Sequence, residues 1–391
     1  MLLRSAAALA ALVRASATGC TAVPLEQADA LRAVTRPPLG RPVLSFRWKK
    51  STSDRMTETR PQEFASALVW RDTAFIGSEG GTFYALAAKD GRVRWKTPIG
   101  AVSATPVVDR GWIYVGTDDG EMVCLDAQTG AVKWRYASRG PIEEAAAVSG
   151  NLVIFSNEAD QVYALDALTG AFRWQYKGET PEEYTLRGHA GVALDGDLVF
   201  TGFANGSMVA LRAENGSVAW LTSLKGGSDR FVDVDATPVV VHDTVYVTSS
   251  SGGAYALDKT TGLVRWQLPL VDTSQPAASP GNAGGVASDG ERVYVAAADQ
   301  GVYALDFEGN ILWRQGTRGG GEPAPPVVSG NYVLYTLAGD GIFIADKRTG
   351  DVLQWFNPGD GVSGAPTVTD DDRLFLLSNH GLVYAFDVTR F

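Results

Sequence analysis

The chain has 391 residues, 45% hydrophobic and 20% charged, a balance that excludes a disordered chain and is enough for a large core. Acidic residues outnumber basic ones by 44 to 34, and the formal net charge of −10 argues against a general nucleic-acid binder, which needs a basic face for phosphates. Two cysteines, Cys20 and Cys124, exclude a disulfide framework and a cysteine zinc site, and three histidines, His189, His242 and His380, offer little for a metal or catalytic cluster. No metal and no cofactor is therefore expected. The 44 glycines and 10 tryptophans instead suggest many short strands joined by tight turns.

Residues 1–20 open with Arg4 and a short apolar run, Ala6 to Val13, too short to cross a bilayer as a helix. The run ends at Ala17, Thr18, Gly19 and Cys20. Small residues before a cysteine resemble a bacterial lipobox. The resemblance implies a signal peptide over 1–19, lipidation of Cys20, and outer-membrane sorting because Thr21 is not Asp. The membrane would then be reached through the lipid anchor only. Residues 20–40 carry Pro24, Pro37 and Pro38 without strand alternation and are expected to form a flexible tether.

From residue 83 onward one unit recurs. Val162-Tyr163-Ala164-Leu165-Asp166 alternates as a strand should, Asp166 to Gly170 is a tight turn of Asp-x-x-Thr-Gly type, and the next strand ends on Trp174. The position of Ala164 recurs at Ala85, Cys124, Ala210, Ala256, Ala304, Ile344 and Ala385, in steps of 39, 40, 46, 46, 48, 40 and 41. Two further strands precede each unit, as in Ser103 to Val108 and Trp112 to Gly116. Each repeat is thus four antiparallel strands, A to D, or one propeller blade. The last copy stops at the C-terminus without its D strand, and Leu44 to Trp48 has the missing pattern ahead of the first A strand, placed at Phe64 to Val69. The expected fold is all-β: one eight-bladed β-propeller over 41–391, closed by its N-terminal strand, with the tryptophan series, Trp355 included, in the core. Asp118 to Gly120 and Asp370 to Asp372 are expected to be solvated turns.

Function is expected on the variable D-to-A links. The three long ones, 175–189, 221–236 and 267–285, follow one another around the ring and should form one patch on one face. The first contains Tyr184, Leu186, Arg187 and Gly188, and the second Arg230, Asp233, Val234 and Asp235 followed by Thr237 and Pro238. At these residues the chain resembles the BamB family, lipoprotein propellers of the outer-membrane β-barrel assembly machinery. That family carries a Leu-Arg-Gly loop, then an Arg followed by Asp-Val-Asp-x-Thr-Pro-Val-Val; Tyr184 stands where it has Leu. The resemblance implies a non-catalytic scaffold at the periplasmic face of the outer membrane. There Tyr184, Leu186, Arg187, Gly188, Arg230, Asp233 and Asp235 would bind a POTRA domain of the barrel-inserting subunit, with nascent outer-membrane proteins as further partners. Asp233 and Asp235 have a plainer reading too, as turn caps or as internal partners of Arg187 and Arg230.

The repeat also resembles the tryptophan-docking motif of PQQ-dependent dehydrogenases, which makes a periplasmic enzyme the main alternative. Those enzymes carry adjacent cysteines and a calcium site, whereas Cys20 and Cys124 lie far apart here. A propeller scaffold with some other partner is the third reading.

Overall fold

The computed structural model describes residues 42–52, 62–179, 189–225, 232–250, 253–270, 284–298, 301–316 and 323–391. Its strands form eight separate four-stranded sheets. Blade 1 holds β2–β5 (68–98), blade 2 β6–β9 (107–137), blade 3 β10–β13 (147–177) and blade 4 β14–β17 (193–223). Blade 5 holds β18–β21 (239–268), blade 6 β22–β25 (285–315) and blade 7 β26–β29 (327–356). Blade 8 is composite: β30 (Thr367–Val368), β31 (Arg373–Leu377) and β32 (Leu382–Val388) are completed by β1 (Leu44–Ser51) from the other end of the chain. The eight-bladed propeller and its N-terminal closure are thus as the repeat implied. β1 even reproduces the internal register: Trp48 faces Ala385 as Trp95 faces Ala85, with the same irregularity one step away.

The A strands are shorter than expected. Blade 1 begins its ladder at Leu68 rather than Phe64, and blade 2 at Val107 rather than Ser103. The reason is steric. Residues just before an A strand plug the junction with the preceding blade, where a glycine leaves a notch. A β-carbon on Gly77 would lie 2.5 Å from Val102, and one on Gly116 would lie 2.3 Å from Ile142. The backbone there pairs across the junction, Val102 N–H to the Ser78 carbonyl and Ile142 N–H to the Thr117 carbonyl, so it is not free to extend the ladder.

The core lies between blades. Phe75, Phe83 and Ala85 of blade 1 pack against Ile113, Val115 and Leu125 of blade 2, and equivalent clusters fill the other junctions. Tryptophan closes seven of the eight junctions from outside. Trp174 Nε1 donates to the Ala213 carbonyl in the next blade's C–D turn at 2.8 Å. The ring lies under Gly216, whose β-carbon would sit 2.5 Å from Trp174 Cε3 and whose φ of 71° favours glycine anyway. Trp48, Trp95, Trp134, Trp220, Trp266 and Trp313 make the same bond to the same turn of their neighbours.

Trp355 breaks this series and corrects the expectation. It pairs with Phe343, one step out of register, and is 46% exposed, while Gln354 faces Ile344 at the position other blades give to Trp. Blade 8 has no covalent C–D turn to cover, because its C and D strands come from opposite chain ends. Gln354 instead bonds the incoming strand, accepting from Leu44 N–H at 2.8 Å. Of the acidic turns, Asp119, Asp370 and Asp371 are exposed as expected, with Asp371 and Asp372 paired to Arg373 and Arg390, whereas Asp118 is half-buried and accepts from both the backbone and the hydroxyl of Ser103.

Candidate functional site

The two loops that carry the candidate residues join blades 3 to 4 and 4 to 5, and their C-terminal roots meet. The second loop is anchored at Asp233, Val234 and Thr237. Val234 N–H donates to the Phe203 carbonyl at 3.2 Å, and Ser250 N–H donates to the Asp233 carbonyl at 2.9 Å. The Val234 side chain fills the notch left by Gly202, where a β-carbon would lie 2.3 Å away. Thr237 Oγ1 accepts from Gly191 N–H at 3.1 Å, which ties this root to that of the first loop.

Of the residues named from sequence, Asp233 is buried, only 1% exposed, and Asp235 is half-buried. Cys20, Tyr184, Leu186, Arg187, Gly188 and Arg230 lie outside the described residues, as does most of the third long link. Burial of Asp233 is consistent with the internal role open to it from sequence. Its charge also reaches a neighbour. Asp160 lies in the B–C turn of blade 3 and accepts from Ala204 N–H. Burial raises its pKa above the usual carboxylate range, and the Asp233 charge adds to the rise. His189, next to Gly188, is buried, and desolvation lowers its pKa to about 4, so the imidazole is neutral.

Sequence reasoning missed Glu144 and Gly191. Glu144 Oε2 accepts from the Thr237 hydroxyl at 3.1 Å. Burial lifts its carboxyl pKa to about 7, against the bond from Thr237, with the Glu143 charge a smaller contribution in the same direction. Glu144 becomes distinctive once the blades are aligned by their ladders. Among the described residues no group of three or more His, Cys, Asp or Glu side chains is gathered as metal ligands would be.

The geometry is that of a closed repeat propeller with glycine-notched blade junctions, in which Gly191 and Thr237 join the C-terminal roots of the two loops. The sequence model of the family described as outer membrane protein assembly factor BamB matches residues 79–306 and again 252–390. The chain belongs to that family. It is similar to the BamB proteins of Kangiella koreensis, 29% identical over 52% of this chain and 51% of that one, and of Alkalilimnicola ehrlichii, 32% identical over 51% of each. The match to the Yersinia pestis protein is 25% identical and reaches 80% of this chain and 68% of that one. The chain thus spans about half the length of the first two relatives. Among solved structures, BamB from Moraxella catarrhalis has a TM-score of 0.74 at 24% identity, covering 88% of this chain and all of that one. A quinohemoprotein alcohol dehydrogenase from Pseudomonas putida HK5 follows at 0.69 and 16%, covering 89% and 77%. Both structural likenesses speak for the fold alone.

Proposed function

We propose that this protein is a non-catalytic scaffold in the assembly of outer-membrane β-barrel proteins, docking through the loops of blades 3 to 5 onto a POTRA domain of the barrel-inserting subunit. Family membership across residues 79–390 is the observation that carries the reading. The site residues agree with it. An apolar anchor, Tyr184 and Leu186, stands in sequence beside Arg187, Arg230 and Asp235, a mixture suited to a protein interface. Asp233, 1% exposed, holds the root of the second loop, its carbonyl accepting from Ser250 N–H. The chain would be held at the periplasmic face of the outer membrane by lipid on Cys20, and nascent outer-membrane proteins would be handed past it.

The test is co-purification from detergent-solubilised envelopes. Arg187→Glu or Asp235→Arg should abolish recovery of a POTRA-containing barrel protein, a cost of about 2–5 kcal/mol if the charges are buried at the contact. The control is Asp126→Arg in a C–D turn of blade 2, and parental recovery in both loop variants overturns the site. Fatty-acid labelling that persists in Cys20→Ala removes the anchor. Turnover after reconstitution with the quinone cofactor and calcium would replace the scaffold reading with the enzyme one.

A further inference from the structure

The eight blades align residue for residue through their A strands, and the position three before the residue that faces the B-strand aromatic or aliphatic is a place for small side chains. It is Ala65, Ala104, Ala190, Ala236, Gly284, Ala324 and Gly364 in blades 1, 2, 4, 5, 6, 7 and 8. Blade 3 alone has Glu144 there. Its carboxylate reaches past blade 4 to Thr237 of blade 5, a partner 93 residues away. The gap it crosses is kept open by Gly191, where a β-carbon would lie 2.4 Å from Thr237 Oγ1 and 3.2 Å from Glu144 Oε2. Gly191 N–H donates to Thr237 Oγ1, so the threonine hydroxyl is free to donate to Glu144. One chain of hydrogen bonds therefore joins three blades. Gly191 lies three residues after Gly188, and Thr237 two after Asp235.

We infer that Glu144 is a positioning residue for partner docking: through Thr237 and Gly191 it fixes the roots of both candidate loops against blade 3. The inference rests on the docking reading given above and adds blade 3 to that site. Stability does not account for the residue. Burial raises its pKa, so the fold disfavours the ionised form, and alanine or glycine is what the other blades carry at this place. A carboxyl retained at a cost to folding is explained by preorganisation, because loops held in one arrangement lose less entropy on binding.

The experiment compares the full-length parent with Glu144→Ala, Glu144→Gln and Thr237→Val, using amide hydrogen exchange on the free protein and affinity for the detergent-solubilised barrel-inserting subunit. Glu144→Ala and Thr237→Val should speed exchange in 189–192 and 232–238 but not in the equivalent segment 101–106 of blade 2. They should weaken binding about tenfold, with a melting temperature at or above the parental value. Glu144→Gln, which keeps an acceptor for Thr237, should stay near the parent in both readouts. Parental exchange in both segments of Glu144→Ala overturns the inference, and so does faster exchange with parental affinity. Loss of binding in Arg187→Glu alone sinks this inference and leaves the docking site standing, whereas parental binding in both variants sinks the two together.

Discussion

The junction between blades 3 and 4 and the junction between blades 7 and 8 meet the same need with different chemistry. At the first, Trp174 covers a covalent C–D turn, bonds its Ala213 carbonyl and packs beneath Gly216. At the second there is no turn to cover, and an amide, Gln354, holds the backbone of the strand that closes the ring. The covalent turn brings a fixed carbonyl and a glycine within reach of one large aromatic. The open seam offers only a strand end, and a polar side chain that can bond its N–H suits that better than an indole. The tryptophan of blade 7 has consequently moved one residue on and faces outward. The seam relies instead on length: seven register pairs join β1 to β32, and Thr389 N–H bonds the Val43 carbonyl beyond them.

Breaking the seam outright should have the largest effect. Deletion of 43–51 removes β1 and leaves β32 as an exposed edge over the apolar residues Leu376, Tyr384 and Phe386. The expected result is loss of a cooperative melting transition with aggregation on heating; a deletion variant melting with the parent would refute the closure. Next in size is Trp174→Ala, about 3–5 kcal/mol by chemical denaturation, since the residue is only 7% exposed. Trp355→Ala, the same repeat residue displaced to the surface, should stay within about 0.5–1 kcal/mol. Equal losses in the two variants would show that the register difference has no energetic meaning. Gly216→Ala tests the other half of the staple. Its φ of 71° and the 2.5 Å approach to Trp174 predict a loss of about 1–3 kcal/mol. Gln354→Ala should cost about 1–2 kcal/mol through the loss of its bonds with the Leu44 N–H and carbonyl, and should act mainly by speeding release of β1.

The smallest expected effect is on pH dependence, and it separates the laced sector from the seam. Glu144 has a pKa raised to about 7, so the folded chain keeps a proton that the unfolded chain releases above about 4.5. Its contribution is full below that range and is lost as pH rises through 7. His189 has the opposite sign. Its pKa is lowered to about 4, so the unfolded chain takes up a proton near pH 6.5 that the fold refuses, and stability is lost as pH falls from 6.5 towards 4. The two slopes oppose each other between pH 4.5 and 6.5. Glu144→Gln should remove one of them, leaving a melting temperature that rises with pH over that interval and no longer declines towards neutrality. An unchanged profile would mean that the carboxyl is not enclosed.

Most of the fold was legible because the repeat states it eight times. The position of Ala164 marks every C strand, and Leu44 to Trp48 carries the pattern missing from the last blade. Reading the tryptophan as core failed only at blade 7: elsewhere Trp stands four residues after the turn glycine, as Trp174 after Gly170, whereas Trp355 stands five after Gly350 and lies on the other side of the strand. One residue of slip reverses the face of a β-strand, and the spacing itself puts Gln354, four residues after Gly350, at the inner place. The site was legible in part. Asp233 and Asp235 were singled out as charges, but burial separated them, Asp233 enclosed and Asp235 half-exposed. Glu144 stood in the sequence beside Glu143 with no distinguishing neighbour, and it becomes distinctive only when the blades are aligned by their ladders. Local alternation, turn chemistry and recurrence act along the chain, so sequence by itself determined the blades, their number and the closing strand. Which carboxylates are enclosed and which loops share a root depend on contacts between residues far apart in the chain, as Trp174 with Ala213, 39 residues apart, and Glu144 with Thr237, 93 apart, and only the tertiary structure brings those atoms together.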